Sequence, residues 1–309
     1  MKGIILAGGS GTRLYPTTKA TSKQLLSIYD KPMIYYPLSI LMLGGIKEVL
    51  IISTPRDIDN FKDLFGDGSS IGIKINYAVQ ANPNGIAEAI IIGEEFIEND
   101  DVCLILGDNI FYGDGLTDLI NSSITRAKVS TATIFSFRVN DPKSFGVVEI
   151  SEDSKVISIE EKPTNPKSNF IATGIYFYPN DVVEKVKLVK PSKRGELEIT
   201  DLNKIYVQKN RLYAEKLHRG FTWIDTGTHD SMLDASNLIC SIQKRNGMKI
   251  GCVEEIAFNK KFISKDQLLK ISKDFKNNEY GKYLVINFKY NLSKLKNNIE
   301  KTMIGVNDD

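Results

Sequence analysis

Short apolar runs bounded by turn residues recur early in the chain: Ile4 to Ala7, Val49 to Ile52 and Val102 to Leu106. Each has the length and content of a strand buried on both faces. Between them, apolar residues fall at helical spacing. Lys31-Pro32 opens one such pattern through Met33, Ile34, Leu38 and Leu41, stopping at Gly44-Gly45, and Leu116, Leu119, Ile120 and Ile124 mark another. Strands alternating with helices predict an α/β fold, a Rossmann-like, mostly parallel central sheet flanked by helices, with ligands at the carboxyl ends of the strands.

Past residue 130 the pattern becomes β-rich, with Thr131 to Arg138, Val147 to Ile150, Val156 to Ile159 and Phe170 to Tyr178 separated by Asp-Pro, Ser-Glu-Asp and Lys-Pro breaks. This reads as a second lobe. Helices are expected at Glu198 to Gln208 and about Ser231 to Gln243, with a strand near Tyr213 to Leu217. A further helix opens at Ser264, where Gln267 completes a capping box ahead of Leu268, Ile271 and Phe275. The expected division is residues 1–130 as a nucleotide-binding α/β half, 131–228 as a sugar-phosphate-binding half of the same catalytic domain, 229–288 as a helical C-terminal region, and 289–309 as a lysine-rich tail.

Composition narrows the class. Forty basic against thirty-eight acidic side chains leave a formal charge of +2, so no bulk field points to nucleic acid or to a membrane surface. Any anionic ligand must be held locally. Cys103, Cys240 and Cys252 form no Cys-x-x-Cys pair and do not cluster with His218 or His229, which argues against disulfides and a zinc site. The apolar start, Met1 to Ala7, is too brief for a signal peptide or a membrane span, and the expected compartment is the cytoplasm.

The first strand runs into Leu6-Ala7-Gly8-Gly9-Ser10-Gly11-Thr12-Arg13-Leu14, with Lys23 further on. Backbone amides without Cβ obstruction can wrap phosphates, and Arg13 and Lys23 add the positive charge that a triphosphate needs. The loop lacks the Gly-Lys-Ser/Thr of a P-loop and the third glycine of the dinucleotide fingerprint. Taken alone, the pattern leaves open a tight turn with incidental charges. Asp108 ends the buried run Val102 to Leu106, and Asp225 follows Trp223-Ile224; both carboxylates suit a hard cation, and each alone is equally a turn or capping residue.

The glycine loop followed by a lysine resembles the signature of the sugar-1-phosphate nucleotidylyltransferases. Thr21-Ser22-Lys23-Gln24-Leu25-Leu26, Tyr29-Asp30-Lys31-Pro32-Met33, Leu106-Gly107-Asp108-Asn109-Ile110-Phe111-Tyr112-Gly113, Glu160-Glu161-Lys162-Pro163, Arg194 to Asp201 and Trp223 to Thr228 are similar to the branch of that family that joins dTTP to glucose-1-phosphate. The match runs from residue 1 to about 283. The resemblance implies Mg²⁺ as cofactor on Asp108 and Asp225, a homotetramer, and an in-line attack needing charge neutralisation and positioning rather than a protein nucleophile.

By the same resemblance Arg13, Lys23 and Lys162 are catalytic. Gly8, Gly9, Gly11, Thr12, Gln24, Gln80, Gly85 and Asp108 join Arg13 and Lys23 in holding the nucleotide. Asn109, Phe145, Gly146, Glu161, Lys162, Ala172, Thr173, Gly174, Tyr176, Arg194 and Trp223 face the sugar phosphate, and Tyr112, Gly113, Arg219 and Lys249 form a regulatory nucleotide site. Two departures bear on detail. Phe145 stands where a tyrosine is common, removing a hydroxyl near the sugar, and Asn84 with Glu88 alter the segment beside Gln80, loosening the expected choice of thymine over uracil. The competing readings are the same chemistry with UTP or another hexose phosphate, since a methyl group discriminates by only about 1–3 kcal/mol, and a non-catalytic nucleotide-sugar sensor on the same fold.

Overall fold

The computed structural model of the chain describes residues 1–275 and 277–286; the lysine-rich segment 289–309 lies outside the described residues. The first half runs β1 (Lys2–Ala7), β2 (Ser27–Ile28), β3 (Lys31–Pro32), α1 (Tyr35–Leu43), β4 (Glu48–Ser53), α2 (Ile58–Phe65), β5 (Lys74–Val79), α3 (Glu88–Ile92), α4 (Glu94–Ile97), β6 (Val102–Leu106), β7 (Asn109–Tyr112) and α5 (Leu116–Lys128). It continues with β8 (Ala132–Arg138), β9 (Gly146–Ile150), β10 (Val156–Glu161), β11 (Phe170–Tyr178), α6 (Val182–Val186), α7 (Ile199–Gln208), β12 (Leu212–Leu217), β13 (Thr222–Asp225), α8 (His229–Asn246), α9 (Val253–Asn259) and α10 (Lys265–Asp274).

Nine strands form one sheet, in which β5-β4-β1-β6 run parallel and β11 joins β6 antiparallel. From β11 the sheet forks towards β9 and β10 on one side and β8 and β12 on the other. The β-rich segment expected as a second lobe therefore continues the same sheet. Seven of the nine residues of β11 are buried, so a solvent edge there would expose a long apolar strand; pairing with both β6 and β8 removes that edge.

Alternation along each central strand divides the core. Ile5, Ile51, Cys103 and Ile105 pack on one face with Leu38, Phe61, Ile120 and Val253, whereas Ile4, Leu50, Ile52, Val102 and Leu104 pack on the other with Ile90, Val182 and Leu202. A third cluster, Ile28, Met33, Tyr36, Ile110, Ala235 and Ile239, seats α8 against the hairpin of β2 and β3. The capping boxes at Thr228 and Ser264 open α8 and α10, the second where the sequence places it.

The helix expected from Lys31 starts instead at Tyr35. Lys31 precedes Pro32, which disfavours helical backbone, and the amides of Met33 and Ile34 donate to Leu26 O and Gln24 O at 2.9 Å each, prolonging the hairpin. This hairpin keeps the segment carrying Lys23 beside the ends of the parallel strands. Strands β1 and β6 are aligned with Leu6 opposite Leu106, so the glycine loop and Gly107-Asp108 leave the sheet side by side.

Candidate active site

The glycine loop turns through Gly9 and Gly11, at φ of +93° and +61°, where a side chain would be strained. It leads into a short 3-10 turn, Thr12–Leu14, and Thr18 Oγ1 closes the loop by donating to Gly11 O at 2.7 Å. Thr12 and Arg13 are exposed. Gly107 is the close-packing glycine that sequence reasoning passed over. A Cβ there would lie 2.9 Å from Gln24 Cγ and 3.1 Å from Leu6 O, so the strand ends approach this closely only with glycine.

The two aspartates, 117 positions apart by their numbers, meet because β7 pairs antiparallel with β13, Asn109 opposite Asp225. Thr226 locks the junction, its amide and hydroxyl donating to Asp108 O at 3.1 and 2.7 Å. Lys23 forms an ion pair with Asp108. Burial first, and then the Asp108 carboxylate, push the Asp225 carboxyl up to about 6, against the opposing pull of Lys23 and Arg13. Arg13 converges on the same point: a Cβ on Gly227 would lie 3.2 Å from Asp225 Oδ1 and 3.5 Å from Arg13 Nη1.

Asn109 holds this pair in place. Its Nδ2 donates to Asp108 Oδ1 at 3.1 Å, while its Oδ1 accepts from the Trp223 indole at 2.6 Å and from Gly174 N at 3.1 Å. Asn109, expected to face the sugar, is buried, with its amide engaged in these bonds and its place in the wall of the cavity shared with Trp223, which donates its indole N–H to it.

Beside the aspartates opens a cavity of about 600 Å³ whose wall includes Arg13, Asp108 and Asp225 at one end and Phe145, Gly146, Glu161, Lys162, Ala172 and Tyr176 at the other. Asn109, Thr173, Gly174 and Trp223 also line it. Glu161 stands opposite Gly146 across β9 and β10 and accepts from Thr200 Oγ1 at 2.5 Å. Lys162 has φ +44° with its amide donating to Phe145 O at 3.0 Å, and its ammonium lies 3.8 Å from Glu161. Thr173 is buried, its hydroxyl donating to Phe135 O at 3.0 Å. Phe145 packs edge-on to Trp223, ring centroids 5.6 Å apart, so its ring serves as a wall.

Arg194 does not line the cavity. Its guanidinium makes two bonds of 2.9 Å to Glu198 and reaches Glu161 at 3.6 Å, so it adjoins the site through that carboxylate. Sequence reasoning missed Thr200, Asn203, Lys143 and Ser144 among the lining residues. Thr200 lies inside the segment Arg194 to Asp201, and the signal for it is the hydroxyl at the second residue of α7, which reaches Glu161 at the end of β10.

On the nucleotide side, Gln24 is buried and accepts from Ser22 Oγ at 2.5 Å. Gln80 is also buried, and its Oε1 lies 2.9 Å from where a Cβ on Gly8 would stand. Gly85 has φ +112° and its Cβ position falls 2.4 Å from Leu197 O, which ties this loop to the segment ahead of α7. A second cavity, about 460 Å³, brings Tyr112, Gly113 and Lys249 together beneath α5 and α8; Arg219 is exposed and not part of its wall.

The nucleotidyl transferase family model matches residues 2–242. The chain belongs to the nucleotidyl transferase family. Within this family it is 53% identical, over 92% of its length and 98% of the relative's, to a glucose-1-phosphate thymidylyltransferase of Neisseria meningitidis. A glucose-1-phosphate thymidylyltransferase of Mycobacterium tuberculosis is 48% identical over the same share of this chain. A crystal structure of a Bacillus anthracis protein, assigned as the same enzyme and in complex with sucrose, superposes with a TM-score of 0.70 at 42% identity, covering 77% of this chain and 94% of that one. The nucleotidyl transferase fold is thus matched across most of the described residues, and no helix among them is long and apolar enough to cross a membrane.

Proposed function

We propose that the chain is a glucose-1-phosphate thymidylyltransferase: dTTP and α-D-glucose 1-phosphate give dTDP-α-D-glucose and diphosphate. The observation that carries this reading is the meeting of Asp108 and Asp225 between Arg13 and Lys23 on one side and the Glu161–Lys162 cavity on the other. A sugar phosphate oxygen attacks the α-phosphorus in line, one P–O bond forms, and diphosphate leaves with the electrons of the bond that breaks. Both reactants are anions. The protein's work is to hold them together and to neutralise charge as it shifts to the leaving group.

Arg13 and the loop amides of Gly8 to Thr12 hold the triphosphate, and Lys23 adds positive charge where diphosphate departs. Lys162, steadied beside Glu161, meets the sugar phosphate as a mobile point charge, while Arg194 acts across Glu161. Glu161, kept in place by Thr200, accepts from sugar hydroxyls together with the backbone at Gly146 and Gly174. Tyr176, its hydroxyl held neutral by burial and by the nearby Glu161 carboxylate, is suited to donate rather than to ionise.

The donor set fits Mg²⁺. Among the described residues no cluster of three or more His, Cys, Asp or Glu gathers to hold a metal, and Mg²⁺ bound with phosphates needs only one or two carboxylates. Asp108 and Asp225, the second made costly to ionise by burial and by the Asp108 carboxylate, would hold it, and when bound it supplies charge neutralisation at the phosphates.

The second cavity, with Tyr112, Gly113 and Lys249 in its wall, supports a separate nucleotide site for feedback control. A homotetramer fits exposed apolar residues such as Met248, in the wall of that cavity, and Leu233 on α8, at 61% and 60% exposure. The division at residues 130 and 228 is a functional one, and the first of these boundaries falls within a continuous sheet, between α5 and β8. Nucleoside triphosphate as substrate and three free thiols support a cytoplasmic setting.

Diphosphate release measured over a panel of nucleoside triphosphates and hexose 1-phosphates, with and without Mg²⁺, tests the assignment. Fastest turnover with dTTP and glucose-1-phosphate supports it, and preference for another pair refutes it. Arg13→Ala should lower kcat by roughly 10²-fold with little change in KM for glucose-1-phosphate, because the lost charge acts mainly on the transition state. A raised sugar KM at unchanged kcat would assign Arg13 to ground-state sugar binding instead.

A further inference from the structure

Between the glycine loop and α3 lies an arrangement that phosphoryl chemistry does not require. Gln80, buried at the end of β5, donates from Nε2 to Glu88 Oε2 at 2.8 Å and to Gly85 O at 3.3 Å. The other oxygen of Glu88 accepts from Asn84 Nδ2 at 2.8 Å. A carboxylate and a carbonyl oxygen only accept. Both amide hydrogens of Gln80 are therefore committed, and turning the amide over would set its oxygen against two acceptors. Its Oε1 is thus aimed over the glycine loop, 2.9 Å from the Cβ position of Gly8, and no donor among the described residues reaches it.

We propose that Glu88 is a positioning residue that makes Gln80 an acceptor-only reader of the nucleobase. The inference rests on the assignment of Gln80 to the base in the nucleotide reading above. Thymine and uracil carry hydrogen on ring N3, which Oε1 accepts. Cytosine presents a lone pair at N3, and two acceptors then face one another, which a polar site rejects far more strongly than a missing methyl group. Thymine and uracil look alike to this contact, because their difference is a methyl group at C5. A glutamine at position 88 would weaken the fixed polarity, since its amide could donate to Gln80 Oε1, leaving Gly85 O as the one acceptor that still opposes the flip. The two residues that depart from the family pattern, Asn84 and Glu88, are the pair that sets this polarity.

The test is steady-state kinetics of the full chain with Mg²⁺, comparing dTTP, UTP and dCTP in wild type, Glu88→Gln and Gln80→Leu. Glu88→Gln is isosteric, and Glu88→Met, which removes the acceptor, serves as a second variant; thermal unfolding confirms that each is folded. In wild type, kcat/KM for dTTP exceeds that for dCTP by at least about 10³-fold. Both Glu88 variants shrink this ratio by about tenfold, raise KM for dTTP several-fold, and leave kcat and the KM for glucose-1-phosphate within about twofold. A purely structural role would move kcat and both KM values together.

If Gln80→Leu collapses the dTTP to dCTP ratio and the Glu88 variants leave it intact, the positioning role is overturned while base reading by Gln80 stands. A ratio unmoved by Gln80→Leu itself overturns both. A dTTP to UTP ratio altered by Glu88→Gln as strongly as the dTTP to dCTP ratio also contradicts the proposal, because the N3 contact does not sense the methyl group.

Discussion

Asp225→Asn lowers turnover by about 10³-fold and at the same time makes the metal-free protein more stable at pH 8. The loss of activity follows from removing one of the two carboxylates that would hold the cation. The gain in stability follows from the same feature seen in the absence of the cation. Burial and Asp108 raise the Asp225 carboxyl from 3.8 to about 6, so its ionised form is less welcome in the folded chain than in the unfolded one. For a raised carboxyl the sign is fixed: below the unfolded value both states hold the proton and there is no penalty, and the penalty grows as pH rises to about 6 and is complete above it.

The cost at pH 8 is at most about 3 kcal/mol, and an asparagine avoids it. Scanning calorimetry with a chelator should find the variant above wild type in Tm at pH 8 and level with it at pH 4. Equal Tm at both pH values would mean that the carboxylate pair is not strained, and turnover within tenfold of wild type would remove Asp225 from the site. Saturating Mg²⁺ should narrow the difference at pH 8, since the wild type, with both carboxylates, gains more binding free energy than the variant.

Gly174→Ala should cost about 2–4 kcal/mol of stability and lower kcat by roughly 10²-fold, although Gly174 has no side chain to offer a substrate. A Cβ at this position lies 2.6 Å from both Cγ and Oδ1 of Asn109. Asn109 cannot retreat, because it is buried and bonded to Trp223 and Asp108 as well as to Gly174 N. The strain is relieved only by breaking the triangle that orients Asp108. Chemical denaturation and diphosphate release measure the two effects. Trimming Asn109 to alanine in the same chain should recover part of the stability and none of the turnover, a non-additivity expected of residues in contact. Full additivity of the two substitutions would mean that the alanine methyl does not press on Asn109.

Three of the four parallel strands were legible because burial on both faces leaves continuous apolar runs in β1, β4 and β6, and α1, α5, α7, α8 and α10 showed themselves by caps or one-sided stripes. The fourth parallel strand, β5, is largely half-exposed and carries no such run, and the short helices α2, α3, α4, α6 and α9 were not read. The short strands were not. β7 and β13 carry no length of pattern, and β2 and β3 have two residues each, so their pairing is set by partners remote in sequence. The same limit explains Lys31-Pro32, read as a helix opening and found in a hairpin because Met33 and Ile34 bond to backbone across it.

Which charged residues are available for the chemistry could be read from the chain alone, because a glycine-rich turn after a buried strand, together with Arg13, Lys23, Asp108, Glu161, Lys162 and Asp225 in ordered motifs, restricts what the residues can do. Which of them share a point in space was decided by the tertiary structure. Asp225 reaches Asp108 only through the β7–β13 pairing, Thr200 reaches Glu161 only because α7 lies against β10, and the polarity of Gln80 depends on an acceptor from the next helix. Hydrogen bonds and ion pairs act over about 3 Å, and sequence separation carries no information about contacts that short until the sheet has brought its strands together.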